Sequence, residues 1–155
     1  MRGHAAAFSA LCATLALAAV TSSATASNQD TAASRFAVRT VRLLVANRYA
    51  DVWRSLHPSH LRATGGRTRY VRCELSAPFV GHATAVEALS VWDETASIAG
   101  VGRVRTKAVT IRVDLAGVGR PAAITHTVHI LRVRGTWRWV LPQARYWSYR
   151  RGDCA

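Results

Sequence analysis

Six histidines, eight carboxylates and three cysteines are the side chains here that can carry a proton, hold a metal or form a cross-link. Their spacing limits what each can do. His57 and His60 stand three apart, a separation that puts two imidazoles on one side of a helix. Pro58 falls between them, however, and a zinc site needs three or four ligands with no third one near. No metal and no cofactor are therefore expected. Asp93 and Glu94 are adjacent in a Val/Thr-rich run and must point to opposite faces of a strand. Either can abstract a proton if it is desolvated, and a strand end exposed to water is the plainer role. His126 lies in a second such run, where burial would lower its pKa and make it a base. A histidine satisfied by a backbone carbonyl is the competing reading.

The cysteines depend on where the chain goes. Met1 to His4 is a short basic start, Ala5 to Val20 is an apolar run without charge, and Ala24-Thr25-Ala26 has the small-x-small form cut by signal peptidase. A signal peptide over residues 1–26 and a bacterial, secreted mature chain are expected. The apolar run is shorter than the roughly 20 residues of a permanent anchor. Leu11 precedes Cys12, and the run continues past it, which argues against lipid attachment at that cysteine. Cleavage leaves Cys73 and Cys154 as the only thiols in an oxidising compartment, where they are expected to pair.

The remaining chain, 27–155, is long enough for one domain with a real core. Charge is lopsided, with 21 Lys plus Arg against 8 Asp plus Glu and a net charge of +13. Such a surface attracts polyanions. Lys107 is the single lysine, and the Arg, Ala, Val and Gly excess fits the codon usage of a GC-rich bacterial genome, although the scarcity of acids does not follow from that. Arginine clusters occur at Arg67, Arg69 and Arg72, at Arg103 and Arg105 with Lys107, and at Arg145, Arg150 and Arg151. Tyr146, Trp147 and Tyr149 lie within the last, a mixture able to stack on flat rings as well as bind phosphates. A solvated face is the ordinary role of a charge run.

The elements that position these residues follow from period. Phe36, Val41, Leu44, Val45, Val52, Trp53 and Leu56 recur at helical spacing, with arginines between them. Asn47 marks a break between two helices, and Pro58 suits the first position of a third. Gly65-Gly66 interrupts, and a short helix over Arg67 to Glu74 puts Tyr70 and Cys73 on one side. From Ala85 the period changes. Val86 to Ile98, Val104 to Leu115, Ala122 to Val133 and Thr136 to Leu141 read as four strands bounded by glycine. Gly100-x-Gly102, Gly117-x-Gly119 and Arg134-Gly135 are turn punctuation between them.

An Arg134-Gly135 turn fixes the final hairpin. It pairs Val133 with Thr136, Arg132 with Trp137, Ile130 with Trp139 and Val128 with Leu141. Ile124, His126, Val128, Ile130, Trp137, Trp139 and Leu141 then share one face, expected to be the helix-covered one. Val109, Ile111, Val113 and Leu115 form the apolar set of the second strand, with Asp114 facing away. Helices followed by an antiparallel meander give an α+β layout, N-terminal helices packed on a curved sheet of four or more strands.

Two segments carry a family likeness: Tyr49-x-x-x-Trp53-x-x-Leu56-His57-Pro58 and the closing Val133-Arg134-Gly135-Thr136-Trp137-Arg138-Trp139 hairpin. With them the chain resembles the nuclear transport factor 2-like superfamily, the cystatin-like cone-shaped roll shared with ketosteroid isomerases and SnoaL-like polyketide cyclases, and in particular its secreted actinobacterial members. The resemblance covers nearly all of residues 27–155. It implies a cone whose concave sheet face and helices enclose a pocket, and a convex sheet face available for homodimerisation. It also implies that any base would be a carboxylate or histidine in that pocket, helped by a tyrosine or aspartic acid. No complete set of that kind falls on inward positions here.

Within such a pocket Tyr49, Trp53, Trp92, His126 and Trp139 are the expected lining, with core packing the competing role for Trp53, Trp137 and Trp139. Catalytic candidates reduce to His126, Asp93 and Glu94. Three function classes follow. The first is a noncatalytic binding or scaffold domain with an apolar ligand, and it is the reading the sequence favours. The second is an isomerase, cyclase or lyase acting by proton transfer. The third is a protein binding an anionic polymer or the cell-envelope surface through its arginines.

Overall fold

The computed structural model describes residues 28–116 and 122–154. The expected signal segment, Cys12 and the Gly117-x-Gly119 turn lie outside them. Helix α1 spans Asn28–Val45 and buries Ala33, Phe36, Ala37, Thr40 and Val41, the stripe that a 3.6-residue period puts on one side. It ends where Asn47 takes a left-handed φ of 54°, a conformation asparagine tolerates better than most residues. The Asn47 side chain then acts as a stretch of backbone. Its Nδ2–H donates to the Phe79 carbonyl at 3.2 Å, and its Oδ1 accepts from the Phe79 N–H at 2.9 Å and from the Tyr49 hydroxyl at 2.6 Å.

Helices α2 (Tyr49–Ser55), α3 (Pro58–Ala63) and α4 (Arg67–Leu75) follow. Pro58 occupies the first turn of α3, where its missing N–H costs nothing, and the His57 ring caps the helix by accepting from the Ser59 N–H at 3.2 Å. Strands β1 (His82–Ile98), β2 (Gly102–Ala116), β3 (Ala122–Val133) and β4 (Thr136–Trp139) form one curved antiparallel sheet in sequential order. Helix α5 (Gln143–Arg151) closes the described chain.

The final hairpin has the expected register for three pairs, Val133–Thr136, Arg132–Trp137 and Ile130–Trp139, with Arg134 and Gly135 both at positive φ. The fourth pair does not form. β4 stops at Trp139, because the chain leaves the sheet and Pro142 introduces α5. Strand β1 also begins at His82, earlier than the apolar pattern starts, since backbone pairing with β2 continues through an alanine-rich stretch and two register shifts. The α5 helix was not expected from period. Its buried side chains are Tyr146, Ser148 and Tyr149, all with polar tips, so no aliphatic stripe announces it.

The core lies between α1, α2, α4 and one face of the sheet, where Val86, Val109, Ile111, Val113, Leu115, Ile130 and Trp139 are buried. A smaller cluster of Ile98, Leu131 and Val140 forms on the opposite face. The β1–β2 turn is pressed onto α5. A Cβ at Gly100 would stand 2.1 Å from the Tyr146 hydroxyl oxygen, so only glycine lets the turn approach this closely. Cys73 of α4 and Cys154 are joined as a disulfide with their Cα atoms 4.7 Å apart, binding the end of the chain to the helical layer as expected.

Candidate functional site

Between the C-terminal half of α1, α4, the start of α5 and β3 lies a cavity of about 790 Å³. That size is within the range of small-ligand pockets. Val41, Leu44, Ile111, Val113, Val128 and Leu141 make most of its interior, and Tyr70 and Trp139 add aromatic surface. It exists because β4 is short. β4 pairs only with Ile130–Val133, so the outer edge of Ala122–His129 has no neighbouring strand among the described residues, and the sheet face behind it is left open.

The polar groups of the cavity fall into two sets. At the α4–α5 side the Glu74 carboxylate is buried. It accepts from Arg145 Nε at 3.1 Å and Nη2 at 2.5 Å, and from the Tyr149 hydroxyl at 2.6 Å. The forked guanidinium and the phenol together satisfy both carboxylate oxygens. The pair with Glu74 raises the Arg145 pKa, and burial followed by the hydrogen bond to Glu74 raises that of Tyr149. Burial first, and then the Glu74 charge, raises Tyr70 as well, so both phenols stay protonated. At the β3 side the mouth is formed by Ile124, 49% exposed, and by His126, also exposed, with Thr127 and His129 beside them.

His126 shares the face of Ile111 and Val128 that the hairpin argument gives it, and it lines the cavity, but helices do not cover it there. Trp139 also lines the cavity. Tyr49, Trp53 and Trp92 do not. Tyr49 is buried beside Asn47 and Phe79, and Trp53 turns its Nε1–H to the Thr64 hydroxyl at 3.2 Å. Trp92 lies in register with Ala108 on the opposite face of the sheet and is 41% exposed.

Asp93 and Glu94 are likewise outside the cavity. Asp93 Oδ2 accepts from the Lys107 ammonium at 2.8 Å, and the same ammonium reaches Asp30 at 2.6 Å, clamping the first turn of α1 onto the sheet. The two hydrogen-bonding carboxylates raise the Lys107 pKa. Glu94 is exposed, and its backbone carbonyl accepts from the Thr106 hydroxyl.

His60 is a buried group whose role the metal-like spacing obscured. It has no exposed surface. Its Nδ1 accepts from the Leu141 N–H at 2.9 Å, which requires the proton on Nε2, and that proton goes to the Ala99 carbonyl at 2.9 Å. Burial pushes its pKa down to about 4, outweighing the Ala99 hydrogen bond. The ring thus joins α3 to the segment after β4 and to the β1–β2 turn, with both nitrogens used. His57 is held by burial, and by the charges of Arg62 and Arg138, below its ordinary value. Among the described residues no group of three His, Cys, Asp or Glu side chains is placed to hold a metal ion.

The pairing of Glu74 with Arg145 and Tyr149 is not readable from the sequence, because 71 residues separate the carboxylate from its guanidinium. The one available signal was a lone acid at a helical position beside Cys73 in a chain poor in acids. What the arrangement can do chemically is accept an apolar body, with a neutral inner wall and imidazoles at the rim. No family model, no curated protein and no solved structure matches this chain.

Proposed function

We propose that this is a noncatalytic binding domain of the nuclear transport factor 2-like kind, secreted by its host, which holds a small, largely apolar ligand in the cavity behind β3. The observation that carries the reading is the state of Glu74. A buried carboxylate in a pocket wall is the natural place to look for a base, yet both of its oxygens are engaged by Arg145 and Tyr149. These hydrogen bonds hold the carboxylate against α5 and give it a structural use in the cavity wall. What remains toward the ligand is aliphatic and aromatic surface, whose burial favours binding by about 25 cal/mol per Å² of apolar area. The helices-then-sheet architecture supports the family reading.

Thermal unfolding against a panel of apolar compounds tests this. A ligand present at about a hundred times its Kd adds roughly 2.7 kcal/mol to stability. Val128 lines the cavity and is only half-buried, so Val128→Trp should fill the space, remain folded and lose the ligand-induced shift. A panel with no stabilising compound, or a shift unchanged in that variant, would contradict the reading.

A second reading has one observation in its favour. His126 opens into the cavity, so a ligand whose acidic carbon reached the mouth would meet an imidazole there. A proton-transfer isomerase, cyclase or lyase would use it as the base.

A further inference from the structure

Helix α5 does two things at once: its first residues line the cavity and its outer face is bare. Gln143, Ala144, Trp147, Arg150 and Arg151 are all exposed, and their spacing of one, four, seven and eight residues puts them in a single stripe. Gln143 and Ala144 belong to the cavity lining. Trp147 is 46% exposed and stands between these polar and basic side chains on the stripe. No acidic side chain lies in α5, and the nearest one beyond it, Asp153, forms only an exposed pair with Arg151. Such a pair is weak and is readily exchanged for another anion.

We propose that the outer stripe of α5 seats the protein on an anionic lipid surface, with Trp147 in the headgroup layer and Arg150 and Arg151 on lipid phosphates. Membrane interfaces favour tryptophan because its ring is apolar and its N–H is polar, and arginines beside it add attraction to anionic headgroups. The partner's charge follows from the chain's own, +13 overall with Arg67 and Arg72 also exposed on α4. Gln143 and Ala144 belong both to the stripe and to the cavity lining, so the seat adjoins the ligand site and brings it close to a source of apolar ligands. The proposal rests on the cavity being a ligand site. It needs no spanning segment, and no helix among the described residues is long and apolar enough to be one.

The test is sedimentation of the purified, disulfide-bonded protein with vesicles of phosphatidylcholine alone, or of phosphatidylcholine and phosphatidylglycerol in equal parts, at low and high salt. Wild type should bind the anionic vesicles, bind them less as salt rises, and ignore the neutral ones. Combining Trp147→Ser, Arg150→Gln and Arg151→Gln should weaken binding roughly 30-fold or more at an unchanged melting temperature. The control Arg103→Gln with Arg105→Gln removes equal charge from exposed positions on β2 and should cost less than about threefold.

Equal losses in the two variants, or no binding by wild type, would overturn the proposal. So would retention on soluble poly(glycerol phosphate) that matches vesicle binding and is indifferent to Trp147→Ser, which would make the partner a polymer. Uptake of a fluorescent fatty acid in vesicle-free solution reports the cavity separately. Uptake by the triple variant without vesicle binding supports the seat as a distinct surface, and vesicle binding without uptake retains the seat while removing the cavity reading.

Discussion

Along its α4–α5 side the cavity wall is backed by a disulfide, a forked ion pair and two tyrosine rings 5.8 Å apart, one of which donates its hydroxyl to Glu74. Along β3 it is bordered by the stretch 122–129, which has no outer partner strand among the described residues, and by side chains that reach water. The first wall spends its polar groups on one another; on the second, Thr127 and His129 bond to the Thr110 and Thr106 hydroxyls of β2, and His126 reaches water. A binding pocket benefits from both, since a fixed wall keeps the shape of the site and an unfinished edge admits the ligand. The contrast predicts that substitutions on the closed side cost stability and those on the open side cost binding.

The largest effect should come from the disulfide. Cys73→Ser with Cys154→Ser removes a cross-link spanning 81 residues, for which the chain-entropy account gives a loss of about 4–5 kcal/mol. Denaturant unfolding should show it, together with faster proteolysis at α5. A loss below about 1 kcal/mol would mean that the other contacts of the closed wall hold α5 unaided.

Next comes His60, which ties this wall to the β1–β2 turn. Its folded pKa is about 4, against 6.5 for a histidine exposed in the unfolded chain, so between those limits the unfolded chain binds the extra proton. Its contribution is complete above about pH 6.5 and is lost as pH falls toward 4, by on the order of 3 kcal/mol. Urea melts across that window should be steeper in pH for wild type than for His60→Gln. Parallel curves would show that the ring takes its second proton without disturbing Leu141 or Ala99.

Glu74→Gln should follow, at about 2–3 kcal/mol, because it leaves the half-buried Arg145 charge facing a neutral amide. The melting temperature reports the loss. A change near zero would mean that Arg145 rehydrates at the cavity mouth, and the closed wall would then be less closed than its hydrogen bonds suggest.

The division between the walls also separates what the sequence made legible from what it hid. Asn47, Pro58 and Arg134-Gly135 have backbone requirements of their own, so the breaks and turns they mark could be read locally. Period placed α1 and the strands for a similar reason, and the facing of His126, Ile124 and Val128 follows from one turn. The cavity's existence was not legible, because it depends on where β4 stops, and no residue type encodes the absence of a partner. Nor was the Glu74–Arg145–Tyr149 group, which only the folded chain assembles. Trp92 was misplaced because an aromatic residue in a strand does not say which face it takes. Cys73 and Cys154 were legible by elimination alone.

The smallest effect on stability should come from His126→Gln on the open wall, and it discriminates most about function. The side chain is exposed, makes no hydrogen bond that holds the fold, and glutamine is close to it in reach, so unfolding should change by less than about 0.5 kcal/mol. If the cavity only binds, ligand affinity should move by less than about threefold. If instead the wild type turns over a ligand whose proton lies beside a carbonyl, the same substitution should remove the rate while leaving binding intact. It would then act on kcat with little effect on KM, the signature of a group that matters only in the transition state. Observation of that split would replace the noncatalytic reading with an enzyme whose base stands at the mouth, on the wall that structure leaves free to work.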